Sequence, residues 1–177
     1  MDTAKREAVA VDALQNIRDE MRAKHDAENA EKIHDVMEKA ASGECMIAFC
    51  GHFSAGKSSL INRLSETQLL PSRPTPASAN VVSVRYGEPA ARIRSGADPN
   101  RPIQEVPLAE LEAHCLDGER IRYIEIDYPS AFLRDSGLVL LDTPGIDSTD
   151  DRHHAATASA LHLSDVVFYV TDYNHVL

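Results

Sequence analysis

The chain has 177 residues, long enough for one domain with a sizeable core, and its 43% hydrophobic and 26% charged residues are those of a globular protein. A net charge of −10 and a pI near 5.2 exclude a protein that coats nucleic acid, which needs a basic face. A single nucleotide ligand stays open, because one phosphate site needs only local positive potential.

No apolar run approaches the roughly 18–20 residues of a membrane-spanning helix, and Met1 to Ala10 lacks the apolar stretch of a signal peptide. Cys45, Cys50 and Cys115 are an odd number without metal-ligand spacing, and the first two fall in or beside an apolar strand. A reduced, cytoplasmic setting fits them.

Residues 1–41 contain neither Pro nor Gly and are dominated by Ala, Glu, Lys, Arg and Met, all good helix formers. Leu14, Ile17 and Met21 form one apolar stripe; Ile33, Val36, Met37 and Ala40 form another. The polar stretch His25 to Asn29 separates them. One long helix or two in succession is expected, ending near Ser42-Gly43. Seven Lys/Arg stand against ten Asp/Glu, so the segment lacks the basic character of a membrane-surface helix. Packing against another helix is the reading, with 1–42 as a bundle-forming segment ahead of an α/β domain over 43–177.

From Cys45 to Cys50 the pattern becomes a short continuous apolar run, as in a buried parallel strand. Gly51-His52-Phe53-Ser54-Ala55-Gly56-Lys57-Ser58 then matches the phosphate-loop pattern G-x-x-x-x-G-K-[ST], followed by Ser59 and a helix to about Ser65. The chemistry needs these residue types. The glycines let successive N–H groups turn inward, and the helix start adds unpaired N–H groups and a positive dipole end. Lys57 would reach the β- and γ-phosphates, and the Ser58 hydroxyl would ligate magnesium. A buried strand before and a helix after give the motif its required context.

The polar, proline-rich stretch Leu70 to Asn80 reads as a loop, Asn80 to Tyr86 as a strand, and residues 87–106 as a long loop. Leu108 to Cys115 is expected to be a short helix. Ile121 to Ile126 and Leu138 to Leu141 are expected to be strands, Thr149 to Leu163 a helix, and Asp165 to Thr171 a last apolar strand. This alternation indicates an α/β fold with a largely parallel sheet. Gly137 to Gly145 is an apolar strand ending in D-x-x-G. Asp142 would hold magnesium through a water, and the Gly145 N–H would face the γ-phosphate. The pair of motifs favours GTP over ATP. Thr75 and Ser78, in the loop between them, are both candidates for a switch hydroxyl on magnesium. Adjacent His153 and His154 point about 100° apart on a helix and do not converge on one ion. Asp147, Asp150 and Asp151 read as solvated switch-loop acids.

GHFSAGKSS at 51–59, LLPSRPTPASANVV at 69–82 and LVLLDTPGID at 138–147 together resemble the dynamin superfamily, and bacterial dynamin-like proteins in particular. Lys57 and Asp142 stand 85 positions apart (142 − 57), whereas small Ras-like or ribosome-assembly GTPases place these motifs much closer together. The resemblance implies a P-loop GTPase fold and a helical bundle beside it. It implies GTP as substrate, GDP as product, magnesium as cofactor, and no nucleic-acid partner. It implies self-association of the parent protein, and peripheral membrane contact through regions outside this sequence. Ser54 matches the phosphate-loop Ser that orients the catalytic water and neutralises charge. Aligning on Leu70-Pro71 puts Ser78 where many bacterial dynamins have Thr, so Ser78 is preferred to Thr75. The resemblance thus makes Ser54, Lys57 and Ser78 the catalytic candidates and Ser58, Ser78 and Asp142 the metal candidates. The guanine-reading motif N/T-K-x-D does not occur before Leu177, so the sequence reads as the N-terminal part of a GTPase domain, with Val166 to Val170 as an open apolar edge. Two other readings are a translation- or ribosome-associated GTPase and a nucleotide-binding piece without turnover.

Overall fold

The computed structural model describes residues 3–70, 80–95, 103–111, 121–147, 157–158 and 160–172. The chain divides into two compact units, Met1–Glu44 and Cys45–Leu177.

The first unit is a pair of helices, α1 (Thr3–Ala23) and α2 (Ala27–Ser42), packed on each other. His25, at φ 60°, breaks the run. Asp26 then caps α2 by accepting the Asn29 N–H at 3.1 Å, and Gly43 ends it in the left-handed conformation at φ 65°. Exposed Glu20–Lys24 and Glu28–Lys32 pairs, four residues apart, add small increments to each helix. No described helix is long and apolar enough to cross a membrane.

The second unit is built on a sheet whose seven described strands run in the order β4-β3-β5-β2-β6-β1-β7. In chain order they are β1 (Cys45–Gly51), β2 (Val81–Tyr86), β3 (Ala90–Ser95), β4 (Gln104–Val106), β5 (Ile121–Tyr128), β6 (Leu138–Asp142) and β7 (Val166–Val170). β1 pairs in parallel with β6 and β7, and β2 in parallel with β5. The β2–β6, β3–β5 and β3–β4 pairs are antiparallel. Helix α3 (Lys57–Leu64) follows β1, and α4 (Ala131–Ser136) precedes β6.

Alternating residues feed two cores. Phe49, Val82, Val84, Ile124, Ile126 and Leu140 join Ile61 of α3 in the larger one; Ala48, Val81, Val139 and Leu141 join Ala160 in the smaller. The centre of the sheet is therefore apolar on both faces, as the unbroken hydrophobic runs require. Each fully buried Ile or Leu contributes about 1.5–3 kcal/mol.

One sequence expectation is corrected and one element is added. Residues 87–106, read as a loop, contain β3 and β4. Ala91 and Ile93 of β3 are buried, while Arg92 on the opposite face pairs with Glu125 at 3.2 Å and Asp127 at 2.6 Å. Arg85 of β2 joins the same two carboxylates at 2.9 and 3.1 Å, so the charges that made this stretch look solvent-borne are neutralised across strands. The expected helix from Leu108 begins with a 3-10 turn, Leu108–Glu110, and Leu111 is α-helical; residues 112–115 lie outside the described residues. α4 was not expected. Its six residues lie between Ser130, whose hydroxyl accepts the Leu133 N–H, and Gly137 at φ 65°. The expected helix to Leu163 is seen at residues 157–158 and 160–163.

Candidate functional site

The phosphate loop joins β1 to α3 at the end of the parallel strands. Gly51 has φ 148°, and a Cβ there would lie 2.0 Å from the Val170 carbonyl oxygen, so only glycine lets β7 approach. Gly56, at φ 97°, caps α3, and Ser54 takes the left-handed region at φ 59°. These turns fold the loop back on itself, with the Ala55 N–H donating to the His52 carbonyl at 3.3 Å. The first-turn N–H groups at Lys57, Ser58 and Ser59 have no carbonyl behind them within the helix. Ser54 and Ser59 are exposed, and His52, Ala55, Gly56 and Ser58 are half-buried.

Lys57 is buried, and its ammonium donates to the Gly51 and His52 carbonyls at 3.1 and 2.9 Å. Burial pushes its pKa down, and the Asp142 and Asp147 carboxylates oppose that shift. The ammonium is thus anchored inside the loop, oriented to meet an anion there.

Asp142, the last residue of β6, brings its carboxylate to this point. Ser58 Oγ donates to its Oδ2 at 2.5 Å. Burial raises the Asp142 pKa to about 6, against the lowering effects of the Ser58 hydrogen bond and the Lys57 charge. Its Oδ1 is buried without a hydrogen-bond partner. A hydroxyl and a carboxylate side by side, with one orphaned oxygen, form an oxygen donor set that suits magnesium.

Beyond Asp142 the chain turns back over the loop. Thr143 Oγ1 donates to the Phe49 carbonyl at 2.9 Å, and the Ile146 N–H donates to the Gly51 carbonyl at 3.2 Å. A Cβ on Gly145 would lie 2.9 Å from both the Phe53 nitrogen and Asp147 Oδ1. The D-x-x-G turn therefore rests directly on the phosphate loop. A family model described as the dynamin family matches residues 47–177. The chain belongs to the dynamin family.

Within this dynamin-family chain, 152 residues are 45% identical to dynamin-like protein A of Bacillus subtilis, covering 85% of this chain and 13% of that protein. The isoniazid-induced protein IniA of Mycobacterium tuberculosis is 25% identical over 150 residues, covering 80% of this chain and 23% of that one. The chain thus spans well under half of either relative. A solved structure described as an oligomerised bacterial dynamin pair, with a mechanism for long-range sensing and tethering of membranes, matches 96% of this chain and 34% of its own. Its TM-score is 0.55 at 22% identity, a likeness of fold.

The structure brings Gly51 to Ser59, Asp142 and Gly145 together. Ser78 and Thr75 lie outside the described residues, as do His153, His154, Asp150 and Asp151. Two contacts carry no signal in the sequence. Asn62, buried on α3, donates to the Leu70 carbonyl at 2.7 Å and accepts the Leu70 N–H at 3.0 Å, which pins the chain just before Pro71. Asp147 is exposed, as expected of a solvated switch-loop acid, and also accepts the Phe53 N–H at 2.7 Å. Both contacts depend on the fold, and no local pattern announces either.

Proposed function

We propose that this chain is the phosphate- and magnesium-binding part of a dynamin-like GTPase. In this reading the parent protein couples GTP hydrolysis to self-assembly and membrane remodelling, from a cytoplasmic, peripherally membrane-associated position. One observation carries the reading: buried Lys57, the Ser58 hydroxyl and the Asp142 carboxylate converge on one phosphate loop. Family membership and the bacterial dynamin relatives support the choice of GTP and of membranes.

Lys57 would neutralise the β- and γ-phosphates, and the N–H groups from Phe53 to Ser59 would cradle them. Ser58 directly, Asp142 through a water, and Ser78 would hold magnesium, which would supply positive charge to offset that of the phosphates. Gly145 would offer its N–H to the γ-phosphate. Ser54, exposed on the loop, would orient the attacking water and balance charge in the transition state. Water adds to the γ-phosphorus as its bond to the bridging oxygen breaks, giving GDP and phosphate. Positioning and electrostatics are the protein's contribution.

The test is binding of a fluorescent GTP analogue and phosphate release, measured on one sample of the chain and on Lys57→Ala. Binding that Lys57→Ala abolishes supports the site, and phosphate release adds turnover. Equal binding by both proteins refutes the assignment.

A further inference from the structure

An anion already sits on the phosphate loop, and it is the protein's own. Asp147 Oδ1 accepts the Phe53 N–H at 2.7 Å, across 94 residues of sequence. The contact is fixed on both sides. The neighbouring Ile146 N–H donates to the Gly51 carbonyl at 3.2 Å, and Gly145 packs so closely that a side chain would strike both Phe53 and Asp147. The other carboxylate oxygen lies 3.9 Å from His52 Nδ1.

The charge balance bears on a site that would take a polyanion. Among the described residues Lys57 is the buried cation, and two carboxylates, Asp142 and Asp147, act on it. Asp142 has a use as a magnesium ligand. Asp147 faces the stretch of loop beside Gly145.

We propose that Asp147 sets how strongly the site prefers a triphosphate over a diphosphate. The inference rests on the nucleotide reading above, which puts the γ-phosphate at Gly145. A γ-phosphate arriving there meets a carboxylate that already holds a loop N–H. It must displace that carboxylate or bind against its charge. The α- and β-phosphates, cradled at the start of α3, are spared most of this opposition. Asp147 therefore weakens triphosphate binding selectively. A like charge a few ångströms away in a partly exposed site is worth roughly ten-fold in binding.

Asparagine separates charge from geometry: its Oδ1 still accepts the Phe53 N–H, but the negative charge is gone. Glutamate keeps the charge. The experiment measures the ratio of GDP to GTPγS dissociation constants, with magnesium, for the chain, Asp147→Asn and Asp147→Glu, with a melting curve for each. The expected result is a ratio shifted toward the triphosphate about ten-fold in Asp147→Asn, and within about two-fold of the unsubstituted chain in Asp147→Glu. A ratio unchanged in Asp147→Asn, or moved toward the diphosphate, overturns the inference while leaving the nucleotide site standing. Failure of the unsubstituted chain to bind either nucleotide overturns the reading on which it rests, and the inference with it.

Discussion

Asp142 offers a prediction whose size follows from its burial. Its pKa is raised from 3.8 to about 6 by loss of solvent. The folded state therefore binds more protons than the unfolded state between those values, so stability falls as pH rises through that window. The shift is about two pKa units, and each unit is worth about 1.36 kcal/mol, so the cost of the charge approaches roughly 3 kcal/mol by pH 8. At pH 5 about half of that cost is already present, so the metal-free chain should lose about 1–1.5 kcal/mol from this group between pH 5 and pH 8. Asp142→Asn keeps an acceptor for Ser58 Oγ but cannot ionise. Metal-free urea denaturation at both pH values, on the chain and the variant, isolates the group from everything else that titrates. The variant should lack this slope and be the more stable protein at pH 8. Parallel stability–pH behaviour of the two would show that the buried carboxylate is not the strained group described here.

Other residues give sharper perturbations. Lys57→Ala should reduce affinity for a fluorescent GTP analogue at least ten-fold, since a charge-assisted contact contributes about 1.5–3 kcal/mol; fluorescence titration checks it. Gly51→Ala should destabilise the fold by more than about 3 kcal/mol, because the new Cβ would sit on the Val170 carbonyl; a melt within 2–3 °C of the original would contradict the close approach. The apolar side chains of β7 from Val166 to Tyr169 are 44–56% exposed, and β7 pairs only with β1 among the described strands. Light scattering across a concentration series should therefore show self-association of the 177-residue chain, whereas a monomer at all concentrations would mean the edge is protected. The base-reading motif is absent from the sequence, so calorimetry should find little discrimination between GTP and ATP. A hundred-fold preference for GTP would place guanine recognition elsewhere in these residues.

Much of the fold and site was legible because short-range chemistry dictates residue type. A phosphate loop cannot be built without Gly51 and Gly56, and the runs at Cys45 and Leu138 are apolar because β1 and β6 are covered on both faces. What escaped was settled by partners distant in sequence. Arg92 looks like a loop residue until β5 brings Glu125 and Asp127 beside it. Asp147 is solvated as its sequence suggests, but its hydrogen bond to Phe53 exists only because the turn after β6 lays it there. α4 was missed for a different reason: six residues carry too little periodicity to see, although its caps, Ser130 and Gly137, were in plain view.

The central claim is that Ser58 and Asp142 act through magnesium while Lys57 acts on phosphate directly. Calorimetric titration of GTPγS into the chain and Ser58→Ala, each with magnesium and with EDTA, tests it most directly. The chain should bind more tightly with magnesium, and Ser58→Ala should lose most of that gain while matching the chain in EDTA. Equal losses with and without the metal would contradict the account.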